Sequence, residues 1–327
     1  MNILVTGGAG YVGSHAARLL TREGHRVVVY DNLERGHAAA VLDLPLVQGH
    51  LSDRELLART MREKQIDAVM HFAAFALVGE SVTDPNLYYE NNVVGSLRLL
   101  QAMRDAGVTK IVFSSTTATY GEPEKSPIAE TTPQHPINPY GYSKLAVEHL
   151  LTDFAAAYGI GFAALRYFNA SGASADGVIG EDHRPESHLI PIVLQVALGQ
   201  REKISIFGDD YPTLDGTCIR DYIHVDDLGS AHLKALNQLQ PGKGLKLNLG
   251  SGVGYSVREV IDMCREVTGH AIPAAIGPRR PGDPPALVAD SSLAQRTLGW
   301  QCCYSDLRTI VTSAWNWHRA HPQGYGG

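Results

Sequence analysis

Residues 2–6, Asn-Ile-Leu-Val-Thr, run without a break into Gly7-Gly8-Ala9-Gly10-Tyr11-Val12-Gly13 and then into an apolar-periodic stretch ending near Leu20. The first segment reads as a parallel strand buried on both faces, the last as an amphipathic helix. Glycines spaced G-x-x-G-x-x-G let the strand turn tightly into the helix. They bring backbone N–H groups and the positive helix end up to a pyrophosphate. The next strand, Arg26 to Tyr30, ends in Asp31, 18 residues beyond Gly13. An acid there accepts from a ribose 2′-hydroxyl and repels a 2′-phosphate, so NAD is expected rather than NADP.

The rhythm continues. Leu46–Gln48 reads as a short strand, and Asp53 as the cap of a helix through Lys64. Ala68–Ala73 is a strand, a long helix is expected from about Pro85 to Ala106, and Lys110–Ser115 is the next strand. A helix from Pro139 and a strand from Phe162 to Phe168 follow. Strands alternating with helices imply right-handed crossovers and a doubly wound parallel sheet of the Rossmann type, with ligands at the carboxyl ends of the strands. Gly7, Asp31, Phe72, Ser114, Thr116 and Asn169 then share one rim. Beyond Asn169 lie a long polar loop (170–188), a helix from about Pro191, a short strand at 204–207 and a polar segment, Gly208 to Asp221. A helix from Asp226 and a strand at 245–249 resume the αβ rhythm. We therefore expect an α/β chain with residues 1–169 as the dinucleotide-binding domain, a returning segment at about 222–252, and 170–327 forming mainly a smaller α/β domain.

A net charge of −6 argues against general attraction to nucleic acid or anionic membranes, so an anionic ligand has to be held by local Arg or Lys. Cys218, Cys264, Cys302 and Cys303 have no metal-ligand spacing, and no metal is expected. The N-terminus has no basic leader, and no run of 18 apolar residues occurs, so a cytoplasmic protein is expected.

Tyr140 and Lys144 lie four apart just after Asn138-Pro139. With Asn138 as cap and Pro139 at the first helical position, both side chains leave one face. A neighbouring positive charge favours a phenolate. Moving a phenol from about 10 to about 7 needs roughly 4 kcal/mol, more than one lysine readily supplies. A second cation is expected nearby.

The glycine turn, Tyr140-x-x-x-Lys144 and Arg166-Tyr167-Phe168-Asn169 resemble the extended short-chain dehydrogenase/reductase family. Gly79-Glu80-Ser81, the run Phe207 to Pro212, Asp215-Gly216-Thr217 and Arg220-Asp221-Tyr222-Ile223-His224-Val225 are similar to the UDP-glucose 4-epimerases of that family, as is the ending from Trp315 to Tyr325. The resemblance runs nearly end to end. It implies a tightly bound NAD, a UDP-sugar substrate passing through a 4-keto form in galactose metabolism, and a homodimer through helices near 85–106 and 145–158. It implies Tyr140 as the base at the sugar O4, Lys144 as its support and Thr116 as a proton partner, the nicotinamide charge being the second cation. For the cofactor it points to Gly7, Gly10, Tyr11, Val12, Gly13, Asp31, Asn32, His50, Leu51, Phe72, Ala73, Ala74, Asn91, Ser114, Tyr140, Lys144 and Phe168. For the substrate it points to Thr116, Tyr140, Asn169, His188, Leu189, Phe207, Arg220, Tyr222, Arg280, Asp283 and Leu287, with Arg220 and Arg280 on the diphosphate.

Three positions depart from the family pattern. Ala76 stands where many members carry a Lys on the cofactor, and His50 where an Asp contacts the adenine, so weaker NAD retention is expected. Leu287 is intermediate between the Tyr and the small residue found in other members, which leaves UDP-N-acetylhexosamines open. A UDP-sugar 4,6-dehydratase would need Asp-Glu after Thr116, where Thr117-Ala118 stands. A non-catalytic NAD sensor would keep the glycine turn but give no reason for Tyr140, Lys144 and Thr116 together.

Overall fold

The structure, a computed structural model, describes residues 1–280 and 282–326. Pro281, which follows Arg280, lies outside the described residues. In chain order the elements are β1 (Asn2–Thr6), α1 (Tyr11–Arg22), β2 (Arg26–Asp31), β3 (Leu46–Gln48), α2 (Arg54–Glu63), β4 (Ala68–His71), α3 (Val78–Thr83), α4 (Pro85–Tyr88), α5 (Gly95–Ala106), β5 (Lys110–Thr116), α6 (Pro139–Tyr158) and β6 (Gly161–Tyr167). Then come β7 (Asn169–Ser171), α7 (Leu189–Ala197), β8 (Ile204–Phe207), β9 (Ile219–His224), α8 (Val225–Gln238), β10 (Gly244–Leu249), β11 (Gly254–Ser256), α9 (Val257–Thr268), β12 (Ala274–Gly277), β13 (Ala286–Leu287), α10 (Ser292–Leu298) and α11 (Leu307–Ala320).

The apolar run of β1 is central because both its faces are buried. Leu4 and Val5 have no exposed surface, and β1 pairs in parallel with β2 on one side and β4 on the other. The sheet order is β3-β2-β1-β4-β5-β6-β10, all parallel. One apolar layer joins Ala17 and Leu20 of α1 to Leu228 and Ala235 of α8 and to α10. The other joins Leu57 of α2, Leu99 of α5 and Val147 and Leu151 of α6. Strand order reverses between β1 and β4, and ligands of such sheets lie at the carboxyl ends beside that switch. The chain re-enters this sheet late, through α8 and β10.

The C-terminal half has its own core, where Ile190, Val260, Ile310 and Trp315 bring α7, α9 and α11 together. In its small sheets β9 lies between β11 and β13 and also pairs with β7, and β8 pairs with β12. Among the described residues no helix is long and apolar enough to cross a membrane.

Two expectations are corrected. The long helix from Pro85 to Ala106 is interrupted: after α4 comes a π-helical stretch, Tyr89–Val94, before α5 resumes. The cause is Asn92, which is buried. Its amide takes the Phe75 N–H at 2.9 Å and donates to the Phe75 carbonyl and the Ser143 hydroxyl, both at 3.0 Å. Periodicity cannot register one extra residue turned inward for a polar clamp, and such π bulges cluster at functional sites. The polar segment ending at Asp221 also contains the start of a strand, β9. Asp221 is polar yet fully buried because its carboxylate accepts the backbone N–H groups of Ser251, Gly252 and Ala289.

Candidate active site

The strand ends open onto one cavity of about 450 Å³. The glycine turn forms its floor. Gly7 has φ +73°, and a Cβ there would strike the Ala73 backbone nitrogen; a Cβ on Gly13 would strike the Gly7 carbonyl. Only glycine lets the turn approach a ligand this closely. At the end of β2, Asp31 accepts the N–H of Ala9 at 3.0 Å and of Leu33 at 2.9 Å. Burial pushes its carboxyl up, and the backbone N–H groups partly offset this. Replacing Asp31 by Ser removes the charge that excludes a 2′-phosphate. Affinity for NADP relative to NAD is expected to rise about tenfold, a change of roughly 1.4 kcal/mol, measurable by competitive titration. An unchanged ratio would remove Asp31 from that role.

On the opposite wall, Asn138 caps α6 by accepting the Gly141 N–H at 2.8 Å, with Pro139 next to it, as the sequence suggested. Lys144 is 3% exposed and donates to the Ser114 carbonyl at 2.8 Å. Its ammonium lies 6.0 Å from the centre of the Tyr140 ring and 4.9 Å from that of Phe113. Burial lowers the lysine to about 7. Tyr140 is half-buried. Desolvation raises its phenol and a hydrogen bond from Thr116, at the end of β5, lowers it in part. Ser143 lies between the two helical groups; it donates to the Tyr140 carbonyl at 2.7 Å and receives Asn92. Below, His71 is lowered to about 3 by burial and then by Lys144, so it is neutral, bridging the Thr6 hydroxyl at 2.7 Å and Ser96 at 2.8 Å. The phenol, the buried amine and the hydroxyl meet at the end of β5, groups chemically able to pass a proton.

The cavity wall brings together most of the residues singled out above, from Gly7, Gly10, Tyr11, Val12 and Gly13 through Asp31, Asn32, His50, Leu51, Phe72, Ala73, Ala74 and Asn91 to Ser114, Thr116, Tyr140, Lys144 and Phe168. Asn169, His188, Arg220 and Leu287 also reach it. Five do not. Leu189 and Tyr222 pack into the core of the C-terminal half. Phe207 and Arg280 stack on one another at 4.1 Å, and Asp283 is paired with Arg220. The wall also includes residues that the sequence reading missed: Arg35, Glu80, Tyr167, Glu181 and His183. Tyr167 adjoins Arg166 in a quoted motif and bonds the Ser114 hydroxyl. Glu80 also falls in a quoted motif, Gly79-Glu80-Ser81, but its pairing with Arg35 at 2.7 Å has no local signal because the two meet only through the fold.

The sequence matches the NAD dependent epimerase/dehydratase family over residues 3–250. It is 57% identical to the UDP-glucose 4-epimerase of Halalkalibacterium halodurans across 99% of this chain and 98% of that one. The chain belongs to the NAD dependent epimerase/dehydratase family. Among solved structures it is similar to a UDP-glucose 4-epimerase with a TM-score of 0.98 and 52% identity, each chain fully covered. The epimerase from Bifidobacterium longum in complex with NAD+ and UDP superposes with a TM-score of 0.94 at 40% identity, over 99% of this chain and 100% of that one. As in other members of this family, NAD is the cofactor. The glycine cradle, the Asp31 carboxylate and the buried Lys144 fit it.

Proposed function

We propose that this protein interconverts UDP-galactose and UDP-glucose as a UDP-glucose 4-epimerase, within galactose metabolism in the cytoplasm. The observation that carries the reading is that Tyr140, Lys144 and Thr116 meet in one cavity with the glycine turn and Asp31. Bound NAD supplies the acceptor and donor of the C4 hydride and, when oxidised, a positive charge beside the phenol. Tyr140 takes the O4 proton, with Thr116 orienting the hydroxyl. Lys144 stabilises the phenolate while fixed to the Ser114 carbonyl. The resulting 4-keto sugar turns within the cavity, presents its other face, and recovers its O4 proton from Tyr140. Residues 1–169 with 222–252 hold NAD in this reading, and the remainder holds the UDP-sugar. Asn169 and His188 line its side of the cleft, and Arg220, freed from Asp283, faces the diphosphate. Phe207, Arg280 and Asp283 close over the nucleotide, and Leu189 and Tyr222 support that wall from behind. Exposed Tyr89 and Tyr158, beside α5 and at the end of α6, suit a homodimer contact there.

Separate incubation with UDP-galactose and UDP-N-acetylgalactosamine, with products resolved by chromatography, tests this. UDP-glucose is expected from the first, and its absence would defeat the assignment. Leu287 lines the cavity beside Phe168 and sets how much N-acetylated sugar is turned over. Ala76 and His50 lie on the same wall and give NAD fewer anchors than relatives with Lys and Asp there. Ala76→Lys is expected to raise the fraction of NAD kept through gel filtration. Complete retention by the unaltered protein would contradict this.

A further inference from the structure

The loop before α7 carries two histidines and two glutamates within eight residues, close-set in space but absorbed by none of the chemistry above except at His188. We propose that Glu181, His183, Glu186 and His188 form a binding site for a divalent transition-metal ion of the zinc class. One donor atom from each of the four lies within 4.8 Å of every other. The Nδ1 of His188 is 2.9 Å from an oxygen of each glutamate, and the Nδ1 of His183 is 3.1 Å from Glu181 and 3.7 Å from Glu186. Ligands held at 2.0–2.1 Å around a tetrahedral centre lie about 3.3–3.4 Å apart. The observed separations straddle that edge length.

Charge and geometry point the same way. The glutamate side chains are each only 4% exposed, so two carboxylates are buried side by side and need two positive charges close at hand. A single N–H on the His188 ring reaches both carboxylate oxygens only as a shared, bent bond. One divalent ion satisfies both carboxylates and both ring nitrogens at once. Two imidazoles with two carboxylates are a donor set for zinc and its transition-metal neighbours, whereas magnesium and calcium prefer oxygen alone.

The loop is held in place independently of any ion. Ser187 and His188 donate backbone N–H groups to one Glu186 oxygen at 2.7 and 2.8 Å. Asp182 accepts the Tyr325 N–H at 2.9 Å, and its carbonyl bonds His37, also at 2.9 Å. The His183 ring meets the edge of Tyr11 from the glycine turn at 6.1 Å. An ion here would brace the cleft wall against the cofactor side, whatever sugar is turned over.

The test is metal content of the full-length protein with its NAD. After equilibration with micromolar Zn2+ and removal of loosely held ion, elemental analysis is expected to find about one zinc per chain. Since even partners behind a ligand cost 10–100-fold in affinity, Glu181→Gln and His183→Ala are each expected to weaken Zn2+ binding by more than about a hundredfold. Zinc far below one equivalent in the unaltered protein, or equal retention by both variants, overturns the site. If a variant fails to fold, Co2+ in the unaltered protein decides. Intense tetrahedral visible bands support the site, and weak six-coordinate bands overturn it. Neither readout depends on epimerase turnover, so failure here is distinguishable from failure of that assignment.

Discussion

Tyr140→Phe is expected to lower kcat by about 10²–10⁴-fold, the range supplied by a positioned acid–base group, while NAD content and UDP affinity stay unchanged. The size follows from how the phenol is placed. Burial pushes Tyr140 up and Lys144 down to about 7, so the two groups do not make a phenolate at neutral pH unaided. With its ammonium 6.0 Å from the ring centre, Lys144 stabilises the phenolate by about 3 kcal/mol at an effective dielectric near 20. Reaching a pKa near 7 takes roughly 4 kcal/mol from the solution value, and burial adds to the demand. In the proposed mechanism the oxidised cofactor's charge would supply the difference, which would couple base strength to NAD binding. The variant keeps the ring, its edge-to-face contact with Tyr88 and the cap of α6, and loses only the proton carrier. Steady-state turnover of UDP-galactose beside NAD absorbance of the purified protein makes the measurement. Turnover within tenfold of the unaltered enzyme would remove Tyr140 from the base position.

What could be read before the structure was local. The glycine turn, Asp31 and the Asn138-Pro139 start of α6 each depend on a few neighbouring residues, and each has the geometry its spacing implied. The need for a second cation was also readable, because it follows from the ordinary acidity of a phenol rather than from coordinates. What escaped was formed by approach across the fold. Asn92 sits in a run that looks like unbroken helix, and only the nearness of Phe75 and Ser143 explains the π-helical turn. Asp221 looked like part of a polar loop because its partners, Ser251, Gly252 and Ala289, are 30 or more positions away. Arg220 and Asp283 were both assigned to the nucleotide, and nothing in their spacing says that they pair with each other.

Glu148→Gln is expected to destabilise the protein by about 3–5 kcal/mol, the usual consequence of leaving a buried charge unpaired. Glu148 is fully buried one turn beyond Lys144 on α6, and Arg166 on β6 is 2% exposed. The guanidinium donates to the two carboxylate oxygens at 2.9 and 2.5 Å, and the Ser115 hydroxyl donates to one of them at 2.6 Å. Arg166 also donates to the Tyr120 hydroxyl at 2.8 Å, which in turn donates to Asn248 of β10 at 2.7 Å. Removing the carboxylate charge leaves Arg166 with neutral acceptors in a site closed to water. A folded domain is stable by only about 5–15 kcal/mol, so the loss is a large fraction of the total. The urea unfolding midpoint should fall accordingly. Replacing both partners, as Glu148→Leu with Arg166→Met, should cost less than either single change, because no charge is then stranded. The network also fixes the site: Ser115 precedes Thr116 on β5, and Glu148 sits on the helix that carries Tyr140. Loosening it should therefore lower kcat as well as stability. An unshifted midpoint in Glu148→Gln would mean that solvent reaches Arg166, and the separation of β5 from α6 would have to be set by apolar packing alone.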